Sequence, residues 1–141
     1  MPRPPSAAAR EAWSIMETLV TRGRRDTAAR VQELGIAPRQ ANALRRLDPE
    51  EPIAMSALAE ALQCDNSNVT QIVDRLEADG LVERRPSARD RRVKTLVLTD
   101  RGREVRSEVE RRMTEPPPVL AALRGEDARL LRDALRRMVE P

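Results

Sequence analysis

The chain has 141 residues, 26 basic and 23 acidic, with a net charge of +3, one cysteine and no histidine, phenylalanine or tyrosine. A single cysteine excludes an intrachain disulfide framework. The missing imidazole removes a His/Cys metal site and any His-dependent catalytic arrangement, and no phosphate-binding glycine loop or GxSxG stands in for them, so no metal, cofactor or enzymatic chemistry is expected. No apolar run is long enough to span a bilayer and no secretory core is present, so the expectation is a soluble cytoplasmic protein without a membrane partner.

Met1–Arg10 is rich in Pro and Ala and is expected to fray, although Ser6 suits a helix cap. The first helix is predicted from about Ser6 to Leu34, with Trp13, Met16 and Val20 along one stripe, Ile15 and Leu19 beside it, and Gly35 at its end. So long an apolar stripe needs a cover, either a second chain or the rest of its own domain. Pro38 suits the first turn of a second helix, whose inner face is Ala41, Leu44 and Leu47 and whose end is Asp48-Pro49. Pro52-Ile53-Ala54 reads as a short extended piece, a candidate third strand. Leu58, Ala61 and Leu62 give a short helical stripe, and Gln63-Cys64-Asp65 a turn. A helix from Asn66 to Asp79 places Val69, Ile72, Val73 and Leu76 at i, i+3, i+4 and i+7, the pattern of one buried face. Gly80 stops it in the left-handed conformation. Strands follow over Leu81–Arg85 and Val93–Leu98, joined by the polar segment Pro86–Arg92. Thr99 is an N-cap for a helix reaching about Glu115, with Val105, Val109 and Met113 on one stripe. Pro116-Pro117-Pro118 breaks the chain, Val119–Leu123 makes a helical turn, and a last helix over Glu126–Val139 aligns Leu131, Leu135 and Met138.

Helix, turn, helix and a hairpin with an arginine-rich tip form the pattern of a winged helix-turn-helix. The fold class is mainly α with a small β-hairpin wing, in a single domain. Residues 36–99 carry the winged helix-turn-helix and 99–115 a connecting helix, while 1–35 and 116–141 are assigned mainly to dimerisation. The charge is uneven: residues 66–83 carry net −3, and residues 84–112, with eleven basic and five acidic residues, carry net +6. A basic stripe concentrated on one element is an electrostatic footprint for phosphate. With aromatics almost absent, double-stranded DNA fits better than a single strand held by stacking. The rival class is a winged-helix interaction or architectural module without a specific operator, which the basic segment and the polar recognition face disfavour.

Several segments, in order and at matching spacing, resemble the MarR family of bacterial transcriptional regulators. Asp90, Arg92, Leu98 and Thr99 fit its D-x-R-x-x-x-x-x-L-T wing pattern. Val73-Asp74-Arg75-Leu76-Glu77 followed by Gly80-Leu81-Val82-Glu83-Arg84 resembles the end of its recognition helix and its first wing strand. Leu58-Ala59 resembles the preceding helix, and Pro38, Gln40, Leu44 and Leu47 the second helix. The resemblance implies a homodimer joined through its first and last helices, recognition helices in successive major grooves of a palindrome, and wings at the flanking minor grooves. It also implies repression relieved by a small aromatic or anionic effector, in a cytoplasmic protein that is nucleoid-associated when bound to DNA. The chain departs from the family pattern: Ala37 and Ala54 stand where helix-capping hydroxyls are common, Gln63-Cys64 replaces a Gly-Leu turn, and with Phe and Tyr absent no aromatic ligand-pocket residues carry over from the family.

Ser67, Asn68, Thr70 and Gln71 are the candidates for base edges, with a solvated helix face as the bland alternative. Arg75 is a candidate for phosphate or base, against pairing with Asp74 or Asp79. Arg84 and Arg85 can reach phosphate, although one of them must face the inside of the hairpin. Arg92 is assigned to the minor groove with Asp90 holding its guanidinium in a bidentate pair, against an ordinary surface pair worth roughly 0–1 kcal/mol. Arg89 and Arg91 are assigned to phosphate or solvent. Trp13 is a candidate for an effector site, against packing on the helical stripe. Cys64 reads as a small apolar turn residue rather than a redox sensor.

Overall fold

The computed structural model describes residues 4–140, and its elements fall into two compact units, residues 27–114 and the two terminal segments together. The expected fraying of the first ten residues divides accordingly: positions 1–3 lie outside the described residues, and helix α1 (Ala7–Gln32) already includes Ala7–Arg10. Ser6 caps it, its Oγ accepting from the Ala9 amide at 3.1 Å.

In the 27–114 unit the chain continues through α2 (Pro38–Arg46), β1 (Ile53–Ala54), α3 (Met55–Leu62), α4 (Asn66–Ala78), β2 (Val82–Pro86), β3 (Lys94–Leu98) and α5 (Asp100–Thr114). The three strands form one antiparallel sheet in the order β1-β3-β2, so the Ile53-Ala54 piece is indeed a strand, paired with Leu96 and Thr95. The mainly helical class with a small wing holds. Leu44, Leu58, Val73 and Leu76 meet Leu81, Leu96 and Val109 in the core, so helices and sheet close over one another.

The strand ends differ from expectation by one residue. Leu81 stays outside β2 because its N–H closes the turn onto Leu76, 2.9 Å away. Val93 stays outside β3 because its N–H bonds the carbonyl of Asp90, also at 2.9 Å.

Two places are tightly built. Thr99 Oγ accepts from the Gly102 amide at 2.9 Å and donates to the Gly80 carbonyl at 2.7 Å, tying the start of α5 to the end of α4. Gly102 is buried there, and a Cβ on it would lie 1.8 Å from the Leu81 carbonyl oxygen. At the α3–α4 turn, Gln63 takes the left-handed conformation, φ 51°, in the place a glycine usually fills.

α2 lacks a capping hydroxyl at Ala37. Gln40 compensates, its Oε1 accepting from the Ala37 amide at 2.7 Å while its Nε2 donates to Asp79 at 3.2 Å. The same unit is laced by arginines of α5 and α2. Arg45 makes two bonds to Glu110, at 2.7 and 3.3 Å. Arg112 binds Glu108, Glu33 and the carbonyl of Arg30. The pair of guanidiniums from Arg111 and Arg112 holds the Glu108 carboxyl down at about 2.

The terminal unit contains the first part of α1, α6 (Pro118–Ala121) and α7 (Gly125–Val139). The three consecutive prolines end the preceding helix as expected, and Pro117 packs on Gly23. No residue of α7 is buried, although its apolar side chains are strongly segregated to one side.

Candidate nucleic-acid interface

Two elements bring together most of the predicted site residues: the outer face of α4 and the hairpin β2–β3. α4 starts at Asp65, whose carboxylate accepts from the Asn68 amide at 2.8 Å. Ser67 Oγ donates to the same carboxylate at 2.7 Å, and Asn68 Nδ2 donates to it at 3.0 Å. These bonds, the Asn68 amide first and the Ser67 hydroxyl next, hold the Asp65 carboxyl below the ordinary carboxylate range. Sequence reasoning placed Asp65 in the turn and missed its capping role, although an Asp three residues before Asn68 at the head of an apolar stripe is the usual signal.

Thr70 Oγ donates to the Asn66 carbonyl at 2.8 Å. Gln71 is exposed, one turn beyond Ser67 and away from the buried residues Val69, Val73 and Leu76. Arg75 pairs with Asp79 at 3.3 Å, the i,i+4 arrangement weighed against a DNA contact.

Arg84 differs from expectation. Its side chain is only 23% exposed, and its guanidinium is turned back onto α4, with Nη2 2.5 Å from Asp74 and Nη1 bonded to Glu77. Glu77 also accepts from the Arg84 amide at 3.1 Å. Burial works against the charge of Arg84, but the bonds to Asp74 and Glu77 outweigh it and raise the pKa. In this structure Arg84 therefore joins β2 to α4 and is not held out towards solvent. Its single positive charge, shared between Asp74 and Glu77, offsets one unit of the net −3 of residues 66–83. Arg85 is the outward member of the pair and meets Glu83 at 2.8 Å.

The wing tip is corrected in one detail as well. Asp90 does not hold the Arg92 guanidinium; its Oδ1 accepts from the Arg92 backbone N–H at 2.9 Å. The carboxylate shapes the turn, an Asx-type bond that fixes the backbone ahead of β3. The side chains of Arg89, Arg91 and Arg92 are exposed and make no ion pair among the described residues.

The other candidates lie apart from this surface. Trp13 is in the terminal unit and 61% exposed. Cys64 is half-buried and packs against the core at the α3–α4 turn, as the apolar reading has it. No group of three or more metal-ligating side chains occurs among the described residues.

The model of the MarR family matches residues 36–94, from the head of α2 to the start of β3. A transcriptional regulator of Thermotoga maritima of known structure is 30% identical, covers 92% of each chain and superposes with a TM-score of 0.70. The chain belongs to the MarR family. The HTH-type transcriptional regulator YdgJ of Bacillus subtilis is 36% identical over 108 residues, 74% of this chain and 64% of that relative. The chain spans less than two thirds of the length of the curated relatives it matches. A Staphylococcus aureus MepR mutant bound to an oligodeoxyribonucleotide shares the fold, with a TM-score of 0.76 over 91% of this chain and 95% of that one at 19% identity. The family match covers both the polar face of α4 and the basic wing tip, while the terminal helices lie outside it.

Proposed function

We propose that the protein is a sequence-specific transcriptional regulator that binds double-stranded DNA as a homodimer. The observation that carries this reading is the pairing of an exposed polar face on α4 with a wing tip whose Arg89, Arg91 and Arg92 carry no intramolecular ion pair among the described residues. Unpaired guanidiniums at a hairpin tip are available to phosphate and to a narrow minor groove, whose negative potential is concentrated. The face of α4 offers short polar groups of the size that reaches base edges in the major groove. Membership of a family of transcriptional regulators supports the same reading.

The homodimer rests on the terminal helices. Leu130 and Met138 of α7 are 65% and 67% exposed in the single chain, too much apolar surface to leave uncovered on a regular basis. A second copy supplies a self-complementary cover and two recognition helices, which places half-sites about 10 bp apart or a multiple of that. Repression relieved by a small aromatic or anionic effector is the expectation that the family brings, with Trp13 as its aromatic candidate.

Selection of binding sites from random duplex DNA with the purified protein tests the proposal. The expected result is an enriched two-fold symmetric motif. A retained pool with no motif, and binding that disappears with modest salt, would leave only nonspecific phosphate attraction and refute it.

A further inference from the structure

On the reading of α4 as the recognition helix, we infer that Gln71 is the residue that sets base preference, and that the base it selects is adenine. The polar residues around it are already engaged. The Ser67 hydroxyl proton and the Asn68 amide are directed to Asp65, at 2.7 and 3.0 Å. Thr70 gives its proton to the Asn66 carbonyl at 2.8 Å, and Arg75 is turned to Asp79 at 3.3 Å. Beyond Asn66 at the very head of the helix, Gln71 is the exposed carboxamide whose side chain holds no hydrogen bond among the described residues.

Its place in the helix suits the task. Gln71 is the sixth of the thirteen residues of α4, within the N-terminal half that reaches base edges when such a helix lies in the major groove. It projects opposite Val69, Val73 and Leu76, which anchor the helix to the core. A carboxamide presents one acceptor and one donor side by side. In the major groove that pair is matched by the N6 amino group and N7 of adenine, whereas guanine offers two acceptors. Asn68 has the same chemistry, but its amide is fixed onto the cap and half-buried. Ser and Thr hydroxyls accept or donate to any base and discriminate weakly.

The test compares binding-site selection by the wild type, Gln71→Ala and Gln71→Arg. It adds a duplex of the selected site in which 7-deazaadenine replaces the adenine at the Gln71-dependent position, removing N7 alone. The wild type is expected to enrich an A·T pair at one position of each half-site, Gln71→Ala to lose preference there, and Gln71→Arg to shift it towards G·C. The 7-deazaadenine duplex should bind the wild type roughly five- to 150-fold more weakly and leave Gln71→Ala unaffected. Circular dichroism should be identical for all three proteins, since Gln71 is exposed and stands opposite the buried face of α4. A wild-type motif that Gln71→Ala leaves unchanged, or a 7-deazaadenine duplex bound as tightly as the parent, overturns the adenine assignment while the regulator stands. Absence of any motif for the wild type overturns the regulator and this assignment together.

Discussion

Residues 27–114 and the terminal segments use their apolar side chains in opposite ways. Among the described residues, every hydrophobic side chain counted into the core, from Val31 to Val109, belongs to the 27–114 unit. Helix α7 is as clearly amphipathic, yet its Leu130 and Met138, like Trp13 and Ile15 of α1, are all more than half exposed. Periodicity alone therefore does not say where an apolar face goes. The Val69–Leu76 stripe of α4 meets helices and strands of its own unit, whereas among the described residues no member of the Leu131–Met138 stripe of α7 is buried. The first pattern makes a core; the second leaves an exposed apolar face, the surface on which the proposed dimer rests.

The contrast is sharpest at Gly102. Substitution by Ala places a Cβ 1.8 Å from the backbone oxygen of Leu81, where no side-chain rearrangement can relieve it. α5 or the α4–β2 turn must move, and Gly102→Ala is expected to destabilise the protein by about 3 kcal/mol or more. Denaturant unfolding measures this, and a loss below about 1 kcal/mol would mean that the packing is looser than the geometry states. Leu131→Asp with Leu135→Asp should behave differently. Each side chain is already more than a third exposed, so the single chain keeps its fold, but a charge in a covered interface is costly. Dimer dissociation, followed by sedimentation equilibrium, should be favoured by at least roughly 100-fold, about 2.7 kcal/mol. Unchanged sedimentation would move the partner surface away from α7.

The helices and the wing were legible because their signals are local: period, prolines, Gly80 and the Thr99 cap. The family pattern at Asp90, Arg92, Leu98 and Thr99 added the order of parts. What the sequence did not disclose is how charges are shared between elements. Arg84 lies seven and ten residues from Glu77 and Asp74, and only the return of β2 along α4 brings them together. Asp90 and Arg92 are an obvious charge pair on paper, yet two residues apart a carboxylate reaches the backbone N–H more readily than the end of a long side chain. Gly102 gave no warning, since nothing in a helical pattern marks the one position that touches a neighbouring backbone.

The reassignment of Arg84 can be separated from a phosphate contact by salt dependence. Arg92→Ala should weaken DNA binding about tenfold and lower the slope of log affinity against log salt by about one. Arg84→Ala should weaken it about fivefold with little change in slope, because what is lost is the join between wing and helix and the masking of Asp74 and Glu77. Adding Asp74→Asn and Glu77→Gln should restore much of that loss by removing the uncovered charges. Failure to recover, together with a reduced slope, would return Arg84 to the phosphate contacts.

The smallest effect is expected at Gln63, and its sign is opposite to that at Gly102. Gln63 sits at φ 51° and ψ 42°, a region that costs a non-glycine residue about 1 kcal/mol. The turn it makes is otherwise complete, with its own N–H on the Glu60 carbonyl at 3.0 Å and that of Cys64 on the Ala59 carbonyl at 3.1 Å. Glycine keeps both bonds and removes the strain, while its greater freedom in the unfolded chain takes back part of the gain. Gln63→Gly should therefore stabilise the protein by about 0.5 kcal/mol in chemical denaturation. A loss of stability instead would mean that the exposed Gln63 side chain contributes more than the strain costs. Within one unit, then, the same Cβ is intolerable at a helix position of ordinary geometry and merely expensive at a left-handed turn. What separates the two positions is the neighbouring backbone: Leu81 stands against Gly102, and the exposed Gln63 carries only the strain of its own φ.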